Sequence, residues 1–279
     1  MTESDKRSEK KNIVVIANER VGLETARQML EKKHEVSAIF TSHQSRKDKI
    51  ADYADFAVLE SQFPQVPIHY ILNPKEPLVV DKIRSYAPWL IVVVSWSQIL
   101  PKDLLEIPGA GTVGIHYSLL PERRGGAPLT WALIDGLEVT GLTLFYYDEG
   151  IDTGDMIDSV EIEIAFDDTI SDLLDKVLVA LPKLVLENLD GILECSAQRL
   201  KQDESQATYT RPRTPKDGEI DWSMNGADNY NFIRAQSAPY PNAFSKLIDK
   251  NGKSRKLVVT GASFENKSLL IEGKVEENE

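Results

Sequence analysis

A histidine at the end of a strand-like run, and a carboxylate-rich turn further along, are the residues whose types and spacing could do chemistry. His116 closes the apolar stretch GTVGIHY (111–117), and Pro121, Gly125, Gly126 and Pro128 then exclude regular structure. Strand ends that feed Gly-rich loops are where α/β folds place their ligands. A second β-like run, VTGLTLFYY (139–147), empties into Asp148-Glu149-Gly150-Ile151-Asp152-Thr153-Gly154-Asp155. If the two strands are neighbours, the turn faces the imidazole. An imidazole beside a carboxylate is a proton acceptor held in orientation. Taken alone, His116 serves equally well as a hydrogen-bonded strand-end residue, and Asp152 as a turn former. Arg123 and Arg124, followed by Gly125 and Gly126, could reach a substrate phosphate, because a guanidinium fork matches phosphate oxygens and glycine lets a ligand near the backbone. They could as well form surface ion pairs. Arg20, in the first strand-to-helix turn, is a candidate of the same kind.

The elements that must position these groups follow an alternating pattern. NIVVIA (12–17) is a short, continuous apolar run suited to a buried parallel strand, and Leu23, Ala26 and Leu30 lie at helical spacing after it. HEVSAIFT (34–41) restores a strand, VDKIRSYA (80–87) a helix, and PWLIVVVSW (88–96) the next strand. The fold class is therefore α/β, a Rossmann-like, mainly parallel sheet with helices on both faces. The first turn, Ala17 to Gly22, lacks the G-x-G-x-x-G spacing that wraps a dinucleotide pyrophosphate, which argues against NAD or FAD. Thr169 stands three residues before Asp172 at capping-box spacing, and the apolar positions from Ile170 to Leu189 predict a long helix bent or interrupted at Pro182. A polar stretch, 201–206, reads as a linker. A short helix near 228–236 and β-like pieces around Phe244, Leu257 and Leu269 then form a small β-rich C-terminal subdomain. The expected division is a polar tail (1–11), a catalytic domain (12–200), the linker (201–206) and the subdomain (207–279).

Composition narrows the partners. With a formal net charge of -12, the chain disfavours a nucleic-acid partner, since sequence-independent affinity for phosphate backbones comes from Lys and Arg. Cys195 is the single cysteine and the four histidines are scattered, so we expect neither a disulfide nor a metal site, and we read Cys195 as an inert, at least partly buried thiol. No apolar run approaches the ~18 residues of a membrane helix, so the expected location is cytoplasmic, with no membrane partner.

HYSLLPERRGGAP (116–128) and DEGIDTGDMI (148–157) resemble the signature segments of the formyltransferases that use N10-formyltetrahydrofolate. SWSQILP (95–101) resembles that family's folate-side loop, and ATYTRPRTPKDGEIDW (207–222) its passage into the C-terminal region. The resemblance implies formyl transfer to an amine, with His116 as general base and Asp152 orienting it. It places the folate co-substrate against Trp96, Ser97, Gln98, Ile99, Leu100, Asp148 and Gly150, and the acceptor against Arg20, Ser118, Arg123, Arg124 and Gly125. Trp96 and Trp131 could flank a pterin or a base, or simply be core. The family's pattern has Asn two residues before the histidine, where this chain has Gly114. A missing oxyanion donor costs about 3 kcal/mol of transition-state stabilisation. A backbone amide freed by Gly114, an ordered water, Gln98 or Ser118 could replace it, and Gly114→Asn is expected to preserve or raise activity. The leading acceptor is a small amino sugar, nucleotide-linked, because the chain is acidic and its C-terminal region reads as short. The alternatives are methionyl-tRNA and a folate- or nucleotide-binding protein with lost catalysis. The sugar-directed relatives suggest a homodimer.

Overall fold

A computed structural model describes residues 11–248, 252–265 and 268–276. Apart from Lys11, the expected polar tail lies outside them. The described residues form two compact units: 11–116 with Thr143–Ser159 and Ala180–Gln202, and Tyr117–Leu142 with Val160–Val179 and the described part of 203–276.

The first unit is built on β1 (Ile13–Ala17), α1 (Glu19–Glu31), β2 (Val36–Ser42), α2 (Ala57–Gln62), β3 (Ile68–Ile71), α3 (Pro77–Ser85), β4 (Leu90–Val94), α4 (Lys102–Leu105) and β5 (Thr112–His116). The expected strands and helices are present. Every residue of β1 and β4 is buried, so both faces of these strands are covered, as their unbroken apolar runs require. On one face, Val14, Ile16, Ala38, Phe40, Ile91 and Val93 pack with Val80, Ile83 and Leu104 of α3 and α4. On the other face, α1 contacts β1, β2 and β4 through a stripe that buries Val21, Ala26, Met29 and Leu30.

With β7 (Val139–Tyr146) and β8 (Met156–Glu163), the sheet runs in the order β3-β2-β1-β4-β5-β7-β8. The pairs from β3 to β5 are parallel, and β7 joins β5 antiparallel, His116 facing Thr143 and Val113 facing Tyr146. The fold is thus Rossmann-like and mostly parallel.

Helix α6 (Ile170–Leu193) runs unbroken through Pro182, where sequence predicts a bend or an interruption. Proline removes one backbone hydrogen bond, but Val177, Leu181, Leu184, Val185 and Leu189 are all buried around it. Tertiary packing of that stripe outweighs the local preference. At its start the capping pair forms as the spacing predicts. Thr169 donates through its N–H and hydroxyl to Asp172 Oδ2 (2.8 and 2.6 Å), and Asp172 N–H donates back at 3.4 Å.

The second unit carries β6 (Arg124–Gly125) paired in parallel with β9 (Tyr209–Thr210), and the helices α5 (Pro128–Ile134) and α7 (Gly226–Arg234). Its antiparallel sheet, β10 (Ala243–Ile248), β11 (Ser254–Glu265) and β12 (Ser268–Glu276), is the expected β-rich C-terminal portion. Ile220, Ile233, Ala243 and Val259 form its small core. The stretch 201–206 is no loose tether, because 204–206 is a 3-10 turn capped by Asp203 and Glu204 holds Arg124.

Thr169→Ala should lower stability by about 1 kcal/mol and the melting temperature by roughly 2–4 °C. Hydrogen bonds from Thr169 hold the Asp172 carboxyl below its ordinary range. That contribution is present above the unfolded carboxylate pKa and is lost as pH falls through the folded one. Thermal melts of the variant should therefore show a shallower loss of stability on acidification than the wild type.

Candidate active site

The antiparallel register places the end of β7 beside the start of β5: Tyr146 lies opposite Val113, and Tyr147 N–H donates to Thr112 O at 2.8 Å. From there the turn 148–155 doubles back along β5 until Asp152 Oδ2 stands 3.5 Å from His116 Nδ1. Both side chains are largely withdrawn from solvent, 8% and 18% exposed. The separation is longer than a strong hydrogen bond, as is common for catalytic pairs before substrate binds. Nδ1 is turned to the carboxylate, and Nε2 is the ring nitrogen on the opposite edge.

Several contacts hold the turn. Asp148 Oδ1 accepts from Gly150 N–H at 3.0 Å and from the Thr153 hydroxyl at 2.6 Å, so Asp148 and Gly150, assigned from sequence to the folate, also build the loop. Asp152 adopts a left-handed conformation at φ 55°. The Gln202 amide donates to the carbonyls of both Asp152 (2.8 Å) and Gly154 (2.7 Å), clamping the strained residue from a distant part of the chain. Gln202 carries no sequence signal for this role.

Among the residues assigned to folate, Trp96 is half-buried and its indole N–H is enclosed without an acceptor among the described residues. An enclosed orphan donor fits a ligand rich in hydrogen-bond acceptors, as a pterin is. Ser97 is exposed and Ile99 is 70% exposed, whereas Leu100 belongs to the core and anchors the loop from below. The Gln98 amide reaches the Leu72 carbonyl at 3.4 Å.

The acceptor-side assignments divide. Arg20 pairs with Asp52 (2.6 Å) yet keeps 40% of its side chain exposed. Arg123 pairs with Asp135 at 2.7 Å. Arg124 has no exposure at all: it grips Glu204 with two nitrogens (2.7 and 2.9 Å) and donates to the Tyr209 hydroxyl. It therefore joins 124 to the segment 204–209 instead of meeting a phosphate. Ser118 is buried and donates to Glu122 O at 2.6 Å. Gly125, at φ 94°, lets β6 lie against Thr210, whose carbonyl oxygen would stand 2.6 Å from any Cβ there, so the glycine serves backbone packing and not ligand approach. Cys195 is exposed, contrary to the at least partly buried thiol expected.

Gly114 is a further correction. A Cβ at this position would lie 2.1 Å from Cε2 of Tyr147, so Gly114→Asn collides with the tyrosine ring and cannot simply restore a missing amide.

Glu19 escaped the sequence reading altogether. It follows β1, close to Ser95 at the end of β4, and both residues are left-handed (φ 63° and 51°). The sheet order reverses between β1 and β4, which is the switch point where such folds bind ligands. Burial, reinforced by Asp52 and opposed by a hydrogen bond with Ser95, pushes the Glu19 carboxyl up to about 7. The folded state then holds a proton that the unfolded chain releases, so stability falls as pH rises from about 4.5 to about 7. Glu19→Gln should flatten that decline, by roughly 2 kcal/mol across the window, in denaturant titrations at several pH values.

The formyl transferase family model matches residues 7–189, and the model of the formyl transferase C-terminal domain matches 213–278. A methionyl-tRNA formyltransferase of Geobacter sulfurreducens is 36% identical over 251 residues, covering 90% of this chain and 79% of its own. Another, from Acetivibrio thermocellus, is 32% identical over 268 residues, 94% and 84% of the two chains. Among solved structures, a 4-N formyltransferase from Francisella tularensis superposes with TM-score 0.71 at 24% identity, over 91% of this chain and 99% of the other. A methionyl-tRNA formyltransferase from Clostridium thermocellum superposes with TM-score 0.68 at 23% identity, over 96% and 99%. With the His116–Asp152 pair set at the end of β5 and both parts of the chain matched, this protein belongs to the formyltransferase family, enzymes that take their one-carbon unit from N10-formyltetrahydrofolate.

Proposed function

We propose that this enzyme formylates the amino group of methionyl-tRNA. The observation that carries the reading is the 36% identity to a methionyl-tRNA formyltransferase over 90% of the chain, which favours this acceptor over the amino sugar expected from composition. A surface in the second unit that combines arginines, two of them paired with Asp135 and Asp217, with an aromatic ring supports a phosphate-bearing, base-carrying acceptor. Trp131 lies beneath the guanidinium groups of Arg211 and Arg213 (5.4 and 4.9 Å from its ring centre), in a groove that Arg123 and Thr208 also line. Such a pairing suits a stacked base and its phosphate.

The co-substrate supplies an activated formyl carbon, and Trp96, Ser97, Gln98 and Ile99 are the side chains we assign to hold it. The acceptor's neutral amine forms the new C–N bond while the carbonyl pair moves onto the formyl oxygen. His116 Nε2 takes the proton that the nitrogen must shed, and Asp152 fixes the imidazole and stabilises its cationic form. When the oxygen pair returns and the bond to folate N10 breaks, the protonated His116 delivers that proton to N10. Proton count and electron pairs balance without any further reactant.

A nucleotide-linked amino sugar is the second reading, favoured by the net charge of -12, which offers little to an extended phosphate backbone. The two separate in one assay: mass spectrometry after incubation with N10-formyltetrahydrofolate and either methionyl-tRNA or a panel of nucleotide-linked amino sugars. A formyl gain on methionyl-tRNA, weakened by salt and reduced about 10²–10⁴-fold in His116→Ala, is expected. A gain confined to one sugar overturns the tRNA reading.

A further inference from the structure

The space that an asparagine would fill at position 114 is occupied, and its occupant carries a hydroxyl. A Cβ on Gly114 would lie 2.1 Å from Tyr147 Cε2 and 3.0 Å from Cζ, the atom that bears the phenolic oxygen. The ring edge centred on Cε2 thus fills the region that a side chain at 114 would enter, with the hydroxyl carried on the adjacent Cζ. The ring is held firmly there. It stacks on Phe145 with centroids 5.1 Å apart, packs against the core cluster of β1, β2 and β4, and is tied to β5 through the bond from Tyr147 N–H to Thr112 O. Two residues along β5 from Gly114 stands His116, with Asp152 beside it.

We propose that Tyr147 is the oxyanion donor of this active site, its phenolic O–H donating to the formyl oxygen as the amine attacks. The proposal rests on the formyltransferase reading above. Chemistry favours it in three ways. Burial, with the Asp152 carboxylate adding to it, holds the phenol well above its ordinary range, so it remains a neutral donor wherever the enzyme works. Its hydroxyl makes no hydrogen bond among the described residues, which leaves the proton for a ligand. Two donors suggested by the sequence are engaged elsewhere: the Ser118 hydroxyl donates to Glu122 O, and Gly114 lies in a strand paired on both sides, where backbone N–H groups enter the ladders. Donors fixed before the reaction, at the place where charge develops, are worth most to catalysis.

Tyr147→Phe tests this, because it keeps the stacked ring and removes only the hydroxyl. We expect kcat to fall about 10²–10³-fold, with KM for co-substrate and acceptor and the melting temperature nearly unchanged. Tyr147→Ala should lose activity similarly, and Gly114→Asn added to Tyr147→Ala should recover at least tenfold, since the ring no longer blocks the amide. Gly114→Asn alone should not gain. A Tyr147→Phe enzyme turning over within threefold of wild type overturns the donor role while leaving formyl transfer intact. If wild-type enzyme transfers no formyl group to any acceptor of the panel, the formyltransferase reading fails and the donor role falls with it.

Discussion

The antiparallel register of β7 on β5 is the constraint on which the site depends. With His116 opposite Thr143 and Val113 opposite Tyr146, β7 leaves the sheet at the far end of β5, and the turn that follows must return along it. That return brings Asp152 to His116 and lays Tyr147 across Gly114. A slip of one residue would send alternate side chains to the opposite face and separate all four. The Gln202 clamp on the carbonyls of Asp152 and Gly154 keeps the returning turn in one conformation, left-handed aspartate included. The geometry of the candidate site is thus set mostly by hydrogen bonds to the backbone.

Polar groups of the second unit show a different use of charge. Arg124, fully enclosed, meets Glu204 with a two-pronged contact and Tyr209 with a third, joining β6 to the segment that leads into β9. Buried guanidinium is costly unless paired, and Glu204 and Tyr209 both accept from this one. Its neighbour Arg123 pairs with Asp135, and both line the groove. Adjacent arginines in one loop therefore divide between holding the chain and facing the groove.

How far this was legible in the sequence depends on the range of the interactions. The apolar runs of β1 and β4 must be buried on both faces whatever surrounds them, so the strand–helix alternation could be read directly. The Thr169–Asp172 cap was readable for the same reason, being closed within three residues. That His116 and Asp152 lie together could be anticipated because their loops carry distinctive Gly and Pro spacing. Arg124 was misassigned because its partner lies 80 residues away, and no local pattern distinguishes a guanidinium bound for Glu204 from one bound for a phosphate. Gln202, Glu19 and Tyr147 were missed likewise: each acquires its role from a backbone turn or a ring brought in by the fold. Pro182 inside α6 shows the opposite case, where the local signal for an interruption yields to a buried stripe and the helix continues.

The contact between Gly114 and Tyr147 also shapes how this chain can change by mutation. A side chain at 114 meets the ring, and removing the ring alone opens a void beside Phe145 and β5. Each position therefore sets what the other tolerates, and a path between glycine with tyrosine and asparagine with a smaller residue passes through an impaired single mutant in either order. Such mutual dependence would lock the arrangement in a lineage once adopted. It also means that relatives sorted by residue 114 alone would be sorted by half of a two-position character.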